Sequence, residues 1–477
     1  MGKNTLDMIL AQILFIASGY GIHIGIGRML GPKPYGEFGV IMSLVTVLEI
    51  FLAAGMSDSV TKFTAEFPGQ WRSIKRQGLK VEAIAGGLVF LSVFFMAKPL
   101  AAALHNMDLV LPLRISAFFI PLMALYSVYM GSLGGQGQFG KRAAAMSVQS
   151  LTKVGAVFAF ILLGFGIPGA VGAYVLSYGL ALLAASCLSR KGPTKSAEFS
   201  TARLVSFAVP IIIYSGAVAL LMNLDMLFVK SLIHDGASAG FYTAAVALTR
   251  APYQIFYAFA ITMLPAISRT ASGQNLVRGS EYVCRAVKAI LVLLAPVAFF
   301  VAGSAKEILR FIYSSRYLPA APPLGILILG ITLLSLFSLL AAVITGSGRP
   351  KIPMAIACSL VPLDAVLNLC LIPRFGLAGA AAGTTIACLA GLIAAALYVQ
   401  KKFKGLMSFG IAVKILLSAL LLYLVPRFWP MAGWRLVPCA LVLFILYALL
   451  LIALKVVGRE ELGMARNALQ ILTKKNP

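Results

Sequence analysis

The sequence predicts an all-α integral membrane protein of about fourteen transmembrane helices, built as two pseudo-symmetric six-helix lobes plus two C-terminal helices. Three observations carry that expectation. Sixty per cent of the 477 residues are hydrophobic and 12% are charged, with a mean hydropathy of +0.94. A soluble domain of that composition could not cover its surface with polar groups. Uncharged runs such as 377–399 and 436–454 match the ~20 residues that cross a ~30 Å hydrocarbon core at ~1.5 Å per residue. Finally, the chain repeats itself. Lys141 recurs as Lys351, and Phe165-Gly166 with Gly169-Ala170 recurs as Phe375-Gly376 with Gly379-Ala380, both at an offset of 210 residues.

Taken in order, the apolar runs place helices near 5–28, 35–57, 81–97, 108–134, 143–164 and 168–189, the first lobe. Six more follow near 203–232, 238–266, 283–303, 319–346, 352–372 and 377–399, and two extra ones near 408–425 and 435–457. The division is 1–196, 197–404 and 405–477, the last segment ending in a basic cytoplasmic tail. An even number of helices per repeat inserts both halves with the same orientation, a common transporter plan. Alternate connectors collect basic residues, among them Arg72, Lys75, Arg76 and Lys80, then Arg190 and Lys191, then Lys401, Lys402 and Lys404. Cytoplasmic loops carry that excess, so both termini are expected in the cytoplasm of a cell inner-membrane protein. The start of the chain reads as a retained first helix, being too long for a signal-peptide core.

The net charge of +25 follows from the same bias and does not call for nucleic acid. Cys187, Cys284, Cys358, Cys370, Cys388 and Cys439 show no C-x-x-C spacing, and His23, His105 and His234 are scattered. Neither set suggests zinc or a disulfide framework. No connector is long enough for a soluble catalytic domain, so the chain reads as a transporter, not an enzyme such as a polysaccharide polymerase or ligase.

Several stretches resemble a known family. Gly27-Arg28-Met29-Leu30-Gly31-Pro32, Tyr35-Gly36, Ala53-Ala54-Gly55-Met56 and Ala65-Glu66 look like its opening helix pair. Asn223-Leu224-Asp225 with Gly240-Phe241-Tyr242 resembles the start of its second half; Leu264-Pro265-Ala266-Ile267-Ser268 and Asn368 through Gly376 to Ala381 are similar to later signatures. The family is the polysaccharide and lipid-linked oligosaccharide flippases of the multidrug/oligosaccharidyl-lipid/polysaccharide exporter superfamily. The resemblance implies alternating-access translocation of an undecaprenyl-pyrophosphate-linked oligosaccharide or polysaccharide precursor across the bacterial inner membrane. It implies a lipid-linked sugar as substrate, membrane lipid around it, and polysaccharide assembly proteins as partners. Lipid II flippases and cation-coupled multidrug exporters share the fold, so the cargo stays open between them.

Ionisable groups at bilayer depth are costly and usually face a cavity or a partner. Arg250 lies about 12 residues into its helix, roughly 18 Å deep at ~1.5 Å per residue, with Tyr253 and Tyr257 on the same face. A buried guanidinium offers a bidentate fork to a pyrophosphate. Lys153 lies mid-helix one turn beyond Gln149, and Glu49 follows Thr46 by three residues, so both are candidate head-group or proton-handling residues. Arg28 joins them because the resemblance implies an arginine at that motif; snorkelling at a helix end explains it equally well. Asp225, Asp364, Asn368 and Thr384 are expected at one depth near the outer boundary, an oxygen set suited to a small hard cation. Helix-to-helix hydrogen bonding is the alternative. The resemblance implies a sodium site on these helices. No cofactor is expected beyond coupling to Na+ or H+.

Overall fold

The computed structural model describes residues 3–189, 198–250, 252–254, 276–403, 407–429 and 433–456. Among them every regular element is helical. Among the described residues twelve helices are long and apolar enough to cross a membrane. One of these, Lys351–Phe403, is two spans joined at Gly376. A further helix, α10, is described from 238 to 250; the rest of its expected range lies largely outside the described residues. The chain is thus a multi-pass membrane protein of the predicted class.

Contacts divide it into two compact units, residues 1–247 with 350–387, and residues 248–349 with 388–477. The first unit contains α1 (Lys3–Leu30), α2 (Pro32–Glu49), α3 (Gly55–Glu66), α4 (Trp71–Ala103), α5 (Val110–Gly135), α6 (Phe139–Leu162) and α7 (Gly166–Leu188). It continues through α8 (Thr201–Leu221), α9 (Leu224–Leu232) and most of α10. Here α1 packs on α6, α6 on α7, and α5 on α3, α4 and α7. Small residues let the backbones close up: a Cβ on Gly36 of α2 would stand 2.5 Å from the Gly240 nitrogen of α10, and one on Gly131 of α5 would stand 2.5 Å from the Ser57 carbonyl. Such close approach replaces the hydrophobic drive that helices lack in lipid.

The second unit is built on α11 (Leu276–Gly303), α12 (Ala305–Ile312), α13 (Ala321–Gly346), α15 (Phe409–Phe428) and α16 (Leu436–Ala453). Its core joins Ile290 and Leu294 of α11 to Leu339 of α13, Ile415 and Leu422 of α15, and Leu443 and Tyr447 of α16. The Tyr447 hydroxyl donates to the Val292 carbonyl at 3.0 Å. The two extra helices are therefore packed into this unit's core.

Both units share α14 (Lys351–Phe403), whose two legs meet at Gly376, φ 58° and ψ −135°. A residue with a Cβ is strained there. The landmark 210 residues earlier, Gly166, has φ 54°, so the repeat read from the sequence recurs as backbone geometry.

Three expected helix limits are corrected. The span expected at 35–57 continues to Glu66 through a π-helical turn, Ile50–Ala54. The helix expected from 81 begins at Trp71, ten residues earlier. Its Arg72, Lys75, Arg76 and Lys80 stand on helix, not loop, and the Lys75 ammonium donates to Ser189 Oγ at 2.8 Å. A helix may project beyond the bilayer once its polar groups find partners, which hydropathy alone does not register. The span expected at 203–232 breaks at Asn223, whose side-chain amide donates to the Ala219 carbonyl at 2.8 Å. That local bond competes with helix continuation.

Candidate functional site

Two polar clusters are embedded in the apolar first unit. The first forms where the end of α2 faces α6 and α7. Lys153 of α6 is 5% exposed, with its ammonium 4.7 Å from the Phe15 ring centre of α1 and 5.5 Å from that of Tyr174 on α7. Glu49 ends α2 immediately before the π-helical turn. Such turns recur at functional sites because the widened coil re-aims neighbouring side chains. The Tyr178 hydroxyl donates to Glu49 Oε1 at 3.4 Å. Lys153 and Glu49 attract one another, yet no ion pair within 4.0 Å joins them; among the described residues that distance is met by Arg203–Glu66 alone. Gln149, one turn before Lys153, is 2% exposed, and its Nε2 has no hydrogen-bond partner among the described residues. The cluster thus presents a cation and an amide donor that are incompletely satisfied, beside a carboxylate.

The second cluster joins three parts of the chain. Asp225 lies in the first turn of α9 and Tyr242 on α10; Asp364 and Asn368 lie on the first leg of α14 and Thr384 on its second. The Tyr242 hydroxyl donates to Asp225 Oδ2 at 2.5 Å, and the Thr384 hydroxyl donates to the same oxygen at 3.2 Å. Asn368 Nδ2 donates to Asp364 Oδ1 at 3.0 Å. Asp364 Oδ2 and Asn368 Oδ1 are buried without a hydrogen-bond partner among the described residues. Thr384 stands near Asp364 as well as Asp225, but its bond of good geometry goes to Asp225. All five residues are at most 2% exposed. Two carboxylates with neutral oxygens and two orphaned acceptors fit a small hard cation better than a transition metal. Consistently, no group of three or more His, Cys, Asp or Glu gathers among the described residues.

The sequence-predicted residues therefore sort as follows. Asp225, Asp364, Asn368 and Thr384 come together, and so do Glu49 and Lys153. Arg28 is exposed in the last turn of α1. Arg250 and Tyr253 belong to the second unit and are half-buried; Tyr257 lies outside the described residues. Sequence reasoning missed Tyr242, although Gly240-Phe241-Tyr242 had been singled out as a motif. It also missed Glu82, 2% exposed on α4, whose Oε2 has no hydrogen-bond partner among the described residues. Glu82 escaped notice because its helix was expected to start beside it, in the loop region.

Residues 1–271 match the family described as polysaccharide biosynthesis protein. The chain belongs to that family. It is 23% identical over 392 residues to the probable low-salt glycan biosynthesis flippase Agl15 of Haloferax volcanii, covering 80% of this chain and 81% of that protein. Its fold is similar to that of the lipid II flippase MurJ in an inward closed conformation, with a TM-score of 0.76 at 15% identity, over 92% of this chain and 97% of the other. An inward-facing multidrug-resistance MATE transporter of the MOP superfamily matches with a TM-score of 0.72 at 16% identity, over 84% and 98%. The chain thus has the fold of that superfamily.

Proposed function

We propose that this protein is a flippase that moves an undecaprenyl-pyrophosphate-linked oligosaccharide or polysaccharide precursor across the inner membrane by alternating access. The observation that carries the reading is Lys153: a cation buried in a membrane helix, with two aromatic faces against it and, among the described residues, no carboxylate within 4.0 Å. A charge at that depth is expensive, and here two ring faces and the more distant Glu49 offset the cost without an ion pair. An anionic cargo head group passing beside it would supply what the fold withholds. Gln149 offers a further donor for phosphate or sugar oxygens, and Tyr178 holds Glu49. Arg250 and Arg28 are assigned to the same cargo from their chemistry, the former with Tyr253. The likeness to a named glycan flippase supports this class of cargo.

Coupling to a monovalent cation belongs to the same reading. Asp225, Asp364, Asn368 and Thr384 would hold Na+, which would neutralise charge between α9 and α14 when bound. Tyr242 fixes Asp225, and Asn368 fixes one oxygen of Asp364, while its other oxygen makes no hydrogen bond of good geometry among the described residues. Both termini are assigned to the cytoplasm.

The test is flipping of a fluorescent polyprenyl-pyrophosphate sugar in reconstituted vesicles by the Arg250→Ala protein. Expected is a loss of about tenfold or more, the worth of one charge-assisted contact; undiminished flipping at unchanged expression contradicts the assignment. Efflux of small amphipathic cations by the same vesicles would favour the drug-exporter alternative, and preference for lipid II would shift the cargo.

A further inference from the structure

Within the second unit, the end of α11, the start of α12, the start of α13 and the end of α15 enclose a cavity of about 810 Å3, within the ~300–1,000 Å3 of small-molecule sites. Its walls are apolar, with Phe299, Ile326, Leu329 and Leu420 among them, while Lys306, Glu307 and Arg427 also line it. Lys306 and Arg427 are exposed. Neither makes an ion pair or hydrogen bond among the described residues. The cavity is assigned to a membrane boundary: the end of α15, whose Pro426 and Arg427 line it, is followed at once by Trp429, 75% exposed, and indoles mark the head-group level. Leu329 and Leu420 are exposed beside it, on surface that a hydrocarbon chain would cover.

We propose that this cavity is a binding site for a membrane phospholipid, distinct from the cargo path. The phosphate sits between Lys306 and Arg427, and an acyl chain runs along Leu329 and Leu420. Two cations without a partner among the described residues outnumber the one carboxylate at the lining, so the charge complements a phosphodiester. Depth complements it too: the cationic groups lie where lipid phosphates lie, and the apolar walls lie below. Occupancy would tie α15 to α11 and α13, reinforcing the contact at which a Cβ on Gly303 would stand 2.5 Å from the Tyr423 carbonyl. This inference does not depend on the cargo.

Native mass spectrometry of the full chain in detergent, titrated with phosphatidylglycerol, tests it. The wild type is expected to retain a phosphatidylglycerol adduct and to bind the matched diacylglycerol about tenfold more weakly, since the charge-assisted contacts are lost. Lys306→Ala with Arg427→Ala should weaken the adduct by a similar factor, whereas Lys306→Arg with Arg427→Lys should keep it. Gly325→Leu offers a second route, because Gly325 lines the cavity and a Cβ there would make only ordinary van der Waals contact with Ala302, at 3.6 Å or more. It should abolish the adduct by filling the cavity while leaving thermal unfolding cooperative. Equal binding of diacylglycerol, an undiminished adduct in both the charge-deleted and cavity-filled proteins, or displacement by millimolar inorganic phosphate would each overturn the proposal.

Discussion

Replacing Lys153 by Met and Glu49 by Gln together removes both charges of the first cluster while nearly preserving shape. Keeping an ammonium in the interior costs several kcal/mol after relaxation. The rings of Phe15 and Tyr174, at 4.7 and 5.5 Å, return ~0.5–2 kcal/mol each. Glu49 lies beyond 4.0 Å, so its attraction is below ~4 kcal/mol at an effective dielectric constant near 20. These terms nearly cancel, and exchanging such a pair for neutral groups is commonly neutral or stabilising by ~1–4 kcal/mol. The doubly substituted protein should therefore unfold thermally at or above the wild-type temperature, read by intrinsic fluorescence in detergent. Flipping of a pyrophosphate-linked sugar in vesicles should fall ~10- to 100-fold, because a hydrogen bond to a charged group is worth ~1.5–3 kcal/mol and ~1.4 kcal/mol is tenfold. Glu49→Gln alone should destabilise by leaving Lys153 with aromatic faces only. Full-rate flipping by the double variant would refute the assignment, and so would a lowered melting temperature that accounts for the lost activity.

Other expectations follow from single contacts. Tyr242→Phe removes the donor 2.5 Å from Asp225 Oδ2 and should cost ~1–3 kcal/mol; an unaltered denaturant midpoint would contradict that bond. Sodium, compared with potassium at equal ionic strength, should raise the thermal midpoint of the wild type but not of Asp364→Asn, and equal responses would remove the cation site. Gly376→Val places a β-branched residue at φ 58° and should destabilise by ~1–3 kcal/mol, read in the same unfolding assay; a neutral outcome would show that the hinge tolerates a Cβ.

Most of the fold was legible because crossing a bilayer imposes length and hydropathy directly. The Phe375-Gly376 landmark marked a repeat of Phe165-Gly166, and the structure places a positive-φ glycine at both Gly376 and Gly166. Asp364 and Asn368 shared a face by their spacing, and that face meets Asp225 and Thr384. Less visible was anything that depends on how far a helix projects from the membrane. Hydropathy began α4 at residue 81, which disguised Glu82 as a loop-edge residue although it is buried. The π-helical turn after Glu49 left no mark in composition, since Ile50-Phe51-Leu52-Ala53-Ala54 would suit an α-helix equally well. Tyr242 carried no charge to attract notice; only its proximity to Asp225, seventeen residues earlier, gives it a role.

The flippase reading is tested most directly by vesicles holding the purified protein and a polyprenyl-pyrophosphate oligosaccharide whose sugar is probed by an external lectin. The reading predicts that lectin-accessible sugar rises well beyond that of protein-free vesicles, and that the Lys153 and Glu49 double substitution suppresses the rise. Sugar exposure no faster than in protein-free vesicles, from protein that is folded and correctly inserted, would contradict it.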